Sequence, residues 1–273
     1  MKAKDKVIVV TGGGGGLGRS LVLNLIGKGA NVAAIDIDAV ALGETQKLAA
    51  PNTGQLSTHV LDITDRNKVM AFPEEVIKTH GAIDGLINNA GVIQPFVPVN
   101  ELEIGAMQRI MDINFYGTLY MVKAFLPHFL KRPEAHVVNV SSLGGFMPFP
   151  GQTIYGASKA AVKLLTEGLY AELKDTQVRA TVIHPGAIKT NIMANSGLEN
   201  SISMDDDEKA ENSAALLPEK AAEQIIKAME NNKYRATVGR DSRMLDMLYR
   251  FSPRTATDLI VKKMKDIAVP NTK

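Results

Sequence analysis

The sequence predicts an α/β protein built on a doubly wound parallel sheet, with helices on both faces of one domain. Three observations carry that reading. Short β-branched apolar runs alternate with stretches of helical apolar periodicity, the pattern of successive β-α-β units. The first run, KVIVV at 6–10, leads directly into a string of glycines and then a helical pattern. Residues capable of chemistry fall repeatedly just after a predicted strand, where ligands of open α/β sheets bind.

Strands are expected at 6–10, 31–35, 56–61, 83–88, 136–140, 178–184 and 235–238. The first of them is a Val/Ile run without polar alternation, as a parallel strand covered on both faces requires. Helices are expected at about 17–28, 39–50, 65–79, 101–131 (two helices), 152–174 and 218–231. In the first of these, Leu17, Leu21 and Leu25 mark one apolar face. No repeat, low-complexity tract or linker interrupts residues 1–239, which read as one catalytic domain. Residues 240–273 read as a short basic helical extension, with eight Lys/Arg against four Asp. Met244, Leu248 and Phe251 share helical spacing there, as do Leu259 or Ile260 with Met264. Two short amphipathic helices are expected to pack on their own sheet or on a neighbouring subunit; a basic face on an anionic membrane is the alternative.

Composition excludes more than it assigns. The net charge of +2 calls for no nucleic acid, and the absence of cysteine removes disulfides and thiolate metal sites. The five histidines show no metal-ligand spacing, so no metal is expected. The acidic run Asp205-Asp206-Asp207-Glu208 reads as a solvated loop. No apolar stretch approaches the ~20 residues of a membrane span. The start MKAKDK precedes too short an apolar run for a secretory signal. Membrane association is therefore not expected, and the expected compartment is the cytoplasm.

The glycine string TGGGGGLGRS fits two registers. Gly13, Gly15 and Gly18 satisfy G-x-G-x-x-G, and Thr11, Gly12, Gly16 and Gly18 satisfy T-G-x-x-x-G-x-G. Either makes a Rossmann-type opening, in which glycines let backbone approach a pyrophosphate at a helix N-terminus. A phosphate loop of the hydrolase kind is disfavoured because Arg19 stands where that loop needs lysine. Asp36, at the end of the next strand, is placed to accept from the hydroxyls of an adenosine ribose.

Tyr155 precedes Lys159 by four residues in YGASK, which puts phenol and ammonium on one helix face. A nearby cation favours the phenolate and lowers its pKa. Ser142 ends the apolar run HVVNVSS upstream, and its hydroxyl could hold a carbonyl or alcohol oxygen against the phenol. Strand alternation points its neighbour Ser141 the other way.

These segments together resemble the short-chain dehydrogenases/reductases of the classical type, over about residues 5 to 240. TGGGGGLG (11–18) is similar to that family's cofactor loop, and Asp62-Ile63 to its adenine-contacting pair. Asn88-Asn89-Ala90-Gly91 resembles its fourth-strand motif, Asn114 in MDINFYG its asparagine, and Pro185-Gly186 with Thr190 its P-G-x-x-x-T segment. Ser142, Tyr155 and Lys159 stand at the family's spacing.

The resemblance implies Tyr155 as general acid/base, Lys159 as its cationic neighbour and ribose ligand, and Ser142 as the group orienting substrate. It implies that Asn114 holds a relay water, and that Ile188 and Thr190 fix a nicotinamide. Gly12, Gly14, Gly15, Gly16, Leu17, Gly18, Asp36, Asp62, Ile63, Asn89, Ala90 and Gly91 complete the implied cofactor set. Asp36, followed by Ile37 rather than a basic residue, favours NAD over NADP. The expected substrate is a small molecule, an apolar secondary alcohol or ketone, with Phe96, Phe146, Met147, Phe149 and Met193 lining its pocket. A polar lid is expected at 191–216, and a homodimer or homotetramer built on the helices near 101–131 and 152–174. Two other functions remain open: an NAD-binding regulator without catalysis, and an epimerase or dehydratase of the extended type.

Overall fold

Seven strands form one parallel sheet in the order β3-β2-β1-β4-β5-β6-β7. The computed structural model describes residues 1–50, 53–190, 192–198 and 215–268. The strands are β1 (Val7–Thr11), β2 (Asn31–Asp36), β3 (Leu56–Val60), β4 (Gly85–Asn88), β5 (Ala135–Val140), β6 (Val178–Pro185) and β7 (Arg235–Val238). The helices are α1 (Gly16–Gly27), α2 (Ala39–Leu48), α3 (Arg66–His80), α4 (Ile104–Met111), α5 (Thr118–Phe129), α6 (Thr153–Glu172), α7 (Ile192–Asn195), α8 (Pro218–Glu230), α9 (Arg240–Phe251) and α10 (Pro253–Ala268).

Alternation along β1 splits its side chains between two cores. Ile8 and Val10 join Leu21 and Leu25 of α1 and Ile225 and Met229 of α8 on one face. Val7 and Val9 join Phe72 of α3, Phe125 of α5 and Leu169 of α6 on the other. Both faces are therefore covered, which is why the strand reads as a continuous apolar run. The strand order reverses beside β1, which pairs with β2 and with β4. That reversal opens a crevice beyond the strands' carboxyl ends.

The 101–131 stretch holds the two expected helices, with a junction that the sequence reading did not anticipate. Helices α4 and α5 are joined by a π-helical turn over Asp112–Gly117. Tertiary contacts impose it: the Asn114 side chain is engaged by Val92, and Gly117 lies against Ile63, whose Cδ1 would be 2.7 Å from an added Cβ. β4 begins at Gly85 rather than 83; just before it, the Asp84 carboxylate accepts from the Val7 N–H at 2.9 Å and pairs with Arg132.

Helices α9 and α10 lie against the segment that follows β5. Leu245, Ala256 and Ile260 form a satellite core with Leu143 and Met147, with Phe146, Phe149, Leu248 and Tyr249 packed on it. Met244 and Phe251, expected on the same stripe as Leu248, stay exposed, Phe251 at 85 %. Asp241 Oδ2 accepts from the Ala187 N–H at 2.8 Å, and Ser242 Oγ donates to the His184 carbonyl at 2.8 Å. Among the described residues no helix is long and apolar enough to cross a membrane.

Candidate active site

The glycine string is the turn from β1 into α1. Gly12 adopts φ +70 and Gly16 φ +50, conformations that disfavour side chains. Gly15 caps α1 with no side-chain bond to its first-turn N–H groups, and nothing lies within 4 Å of its would-be Cβ. The loop thus offers backbone donors at a helix N-terminus to an anion. Gly18 serves packing: an added Cβ would lie 1.8 Å from the Gly12 carbonyl oxygen. Gly18→Ala is expected to abolish measurable dinucleotide binding and to destabilise the fold by about 3 kcal/mol, the upper end of overpacking costs. A fluorescence titration and a thermal melt check this; unchanged binding would refute the close-approach reading.

Asp36, at the end of β2, is fixed by two backbone donors. Gly14 N–H reaches its Oδ2 at 2.9 Å and Asp38 N–H its Oδ1 at 3.1 Å. Arg19, which sequence reading used only to disfavour a phosphate loop, braces the glycine turn from behind. Its Nε donates to the Gly14 carbonyl and to Thr45 Oγ1, each at 3.0 Å, and its guanidinium pairs with Glu44. Arg19 does not line the cleft.

Thr11 ties β1 to the turn after β4. Its Oγ1 accepts from Asn89 N–H at 3.0 Å and Ala90 N–H at 3.1 Å. Asn88 bridges strands instead, donating to Asn139 Oδ1 at 2.8 Å. Gly91 leaves room for two groups: a Cβ there would be 3.0 Å from Lys159 Nζ and 3.1 Å from Asn114 Oδ1. Asn114 itself is fully buried behind the cleft wall. Its Nδ2 donates to the Val92 carbonyl at 2.9 Å and to Ser158 Oγ at 3.0 Å, which uses both amide protons for bracing.

Ser142, Tyr155 and Lys159 meet where β5 ends and α6 begins. Ser142 Oγ accepts from Gly144 N–H at 3.0 Å, while Ser141 turns away and donates to the Lys159 carbonyl at 2.7 Å. Lys159 Nζ donates to the Val140 carbonyl at 3.0 Å. Burial pushes the Lys159 ammonium down to about 8. Burial also pushes the Tyr155 phenol above its ordinary value, with a hydrogen bond to Ser142 opposing it. The expected downward pull of Lys159 on the phenol is not seen: enclosure raises the phenol and lowers the ammonium, and only the bond to Ser142 opposes the rise. His184 is also buried, its Nδ1 3.0 Å from the Ser142 carbonyl, and enclosure pushes its imidazole down to about 4.

A cleft of about 820 Å³ joins these groups. Gly12, Gly15, Gly16, Leu17, Asp36, Asp62, Ile63, Asn89, Ala90, Gly91, Ser142, Tyr155, Lys159, Ile188 and Thr190 all line it. Gly14, Gly18 and Asn114 stand behind its wall. The expected apolar lining is corrected: none of Phe96, Phe146, Met147, Phe149 and Met193 lines the cleft. Met147 is fully buried, and Phe146 and Phe149 pack on the core under α9 and α10. Val92, Ile93 and Ile192 take that side instead, with Gln108 and Arg109 of α4. Position 191, residues 199–214 of the expected lid and the acidic run at 205–208 lie outside the described residues.

Comparison with known proteins agrees with this architecture. A family model described as short chain dehydrogenase matches residues 6–201. SadH of Mycobacterium tuberculosis, named as an oxidoreductase, is 36% identical over 253 residues, covering 90% of this chain and 91% of that protein. A short-chain dehydrogenase/reductase of Burkholderia phymatum, solved in complex with NAD, superposes with a TM-score of 0.84 at 23% identity, over 93% of this chain and 96% of the other. A short-chain dehydrogenase of Burkholderia cenocepacia, solved with NADP, superposes with a TM-score of 0.79 at 26% identity, over 96% and 99%. The glycine cradle, the crevice at the strand-order reversal and a family match across most of the length converge on one assignment: this chain belongs to the short-chain dehydrogenase/reductase family of nicotinamide-dinucleotide oxidoreductases.

Proposed function

We propose that the protein is an NAD-dependent dehydrogenase that interconverts a secondary alcohol and its ketone, with Tyr155 as general acid/base. The observation that carries this is the convergence of Ser142, Tyr155 and Lys159 on the cleft that the glycine cradle also enters. A nicotinamide dinucleotide seated there supplies the hydride acceptor or donor. The protein's own part is orientation and proton transfer. Ser142 and Tyr155 hydroxyls hold the substrate oxygen, and Tyr155 takes the hydroxyl proton as the carbonyl forms. Lys159 stabilises the phenolate form of Tyr155 that accepts this proton, and would grip the ribose; Ile188 and Thr190 would fix the nicotinamide. Asn114 acts by bracing Val92 and Ser158 around this pair. Val92, Ile93, Ile188 and Ile192 favour an apolar alcohol. Exposed Tyr116 on the π turn and Leu164 and Tyr170 on α6 favour a homo-oligomer through these helices, and the cytoplasm is the fitting compartment.

The test is NADH formation across a panel of secondary alcohols, with reduction of the matching ketones in reverse. A panel yielding turnover in neither direction, despite tight NAD binding, would favour a regulator over an enzyme.

The NAD preference rests on Asp36, whose charge repels a 2′-phosphate, and on Ile37, 69 % exposed beside it without a positive group. Replacing Asp36 by Asn and Ile37 by Arg is expected to shift the NAD/NADP ratio of kcat/KM toward NADP by roughly 10–100-fold, the worth of one charged hydrogen bond gained or lost. Steady-state kinetics with both cofactors decide it. Wild-type protein that already prefers NADP would overturn the assignment.

A further inference from the structure

We infer that Gln94 is a positioning residue for Tyr155, a side-chain cap delivered to the start of α6 from the turn after β4. Resting on Tyr155 as the acid/base, this deepens the proposed function. The Gln94 side chain is fully buried and does not line the cleft. Its Oε1 accepts two bonds, from the Ile154 N–H at 2.9 Å and from the Tyr155 N–H at 3.0 Å. Its Nε2 donates to the Gly151 carbonyl at 2.8 Å. Gln152 returns the contact, its Nε2 donating to the Gln94 carbonyl at 2.8 Å.

The need for such a cap follows from the local sequence. The first N–H groups of a helix have no partner within it and usually take one from a Ser, Thr, Asp or Asn at the cap position. Here the cap position is Gln152, which makes no side-chain bond to the helix start. Gly151 before it turns with φ +74, and a Cβ there would be 3.2 Å from the Phe96 carbonyl carbon. The chain therefore enters α6 through a turn whose cap residue supplies no side-chain acceptor, and Gln94 serves two of the vacant N–H groups. One of the two bonded amides belongs to Tyr155 itself. At the other end of the same residue, Ser158 Oγ donates to the Tyr155 carbonyl at 2.7 Å. Gln94 thus fixes the backbone from which the phenol projects.

The test uses two substitutions in the full-length protein, assayed with whichever secondary alcohol of the panel is turned over. Gln94→Met fills the volume without an acceptor; turnover is expected to fall on the order of 10²-fold, the cost of slight misplacement, with NAD affinity unchanged. Gln94→Glu keeps the one acceptor oxygen that serves both N–H groups, exchanges the Nε2 donor to the Gly151 carbonyl for a second oxygen, and sets a carboxylate at the Tyr155 N–H. Turnover should largely return, with the rising limb of its pH profile displaced upward by about one unit. Equal turnover in the two variants, or a Gln94→Glu profile superposed on the wild type, would overturn the inference. The second comparison stands even where Gln94→Met is not recovered in soluble form. Tyr155→Phe separates the two levels: if it stays active, the proposed function fails, whereas if it is dead while both Gln94 variants behave as wild type, only the role of Gln94 fails.

Discussion

Tyr155→Phe is expected to lower turnover by about 10²–10⁴-fold, the usual worth of a positioned acid/base, while NAD binding stays as it was. The phenolic oxygen enters only the proton-transfer step, and the ring that packs beside Gly144 is retained. Lys159→Ala should behave differently. It removes the ammonium from Tyr155 and the donor that reaches Val140, and with it the proposed ribose contact, so kcat and NAD affinity fall together. The contrast between the two variants is the discriminating measurement. Single-turnover rates should be read beside fluorescence titrations, so that product release does not mask the chemical step. If Tyr155→Phe kept more than about a tenth of wild-type turnover with chemistry rate-limiting, another group would have to be the base.

Ending the chain after Gly239 is expected to have an effect of similar size by a different route. Leu143 and Met147 would lose Leu245, Ala256 and Ile260, their partners in the satellite core. Burial of each such side chain contributes about 1.5–3 kcal/mol, so a loss of several kcal/mol is expected, against a typical total of about 5–15 kcal/mol. The cut also removes Asp241 from the Ala187 N–H and Ser242 from the His184 carbonyl. The segment proposed to hold the nicotinamide and the segment after Ser142 would both loosen. A thermal melt, light scattering and NAD titration check this. A truncated protein with unchanged melting, assembly and affinity would show the extension to be dispensable.

What was legible in the sequence follows physical lines. The central strand β1 was readable because a strand covered on both faces demands an uninterrupted apolar run, here VIVVT. The glycine turn was readable because few other sequences let backbone approach backbone as Gly18 approaches Gly12. Tyr155 and Lys159, which line the cleft with Ser142, were readable because helical spacing puts them on one face and both stand at the family's spacing from Ser142. Contacts between distant segments were not. Gln94 gives no local sign that it caps a helix some sixty positions later. The π turn arises from what Asn114 and Gly117 touch, not from the propensity of DINFYG. Phe146, Met147 and Phe149 look alike whether a loop lines a pocket or roofs a core, and here they roof a core.

The strand order also sets when a binding site can exist during folding. β1 lies inside the sheet, with Val7 opposite Asn31 and Ile8 opposite Gly85. The unit of β1, β2 and β3 closes early along the chain and carries the glycine turn and Asp36. Ser142, Tyr155 and Lys159 arrive with β5 and α6, after a longer loop has been closed, and long-range parallel pairing is intrinsically slow. Neither unit alone encloses a dinucleotide, because the crevice is the seam between them. A complete cleft therefore requires both halves in place, since each supplies part of its lining.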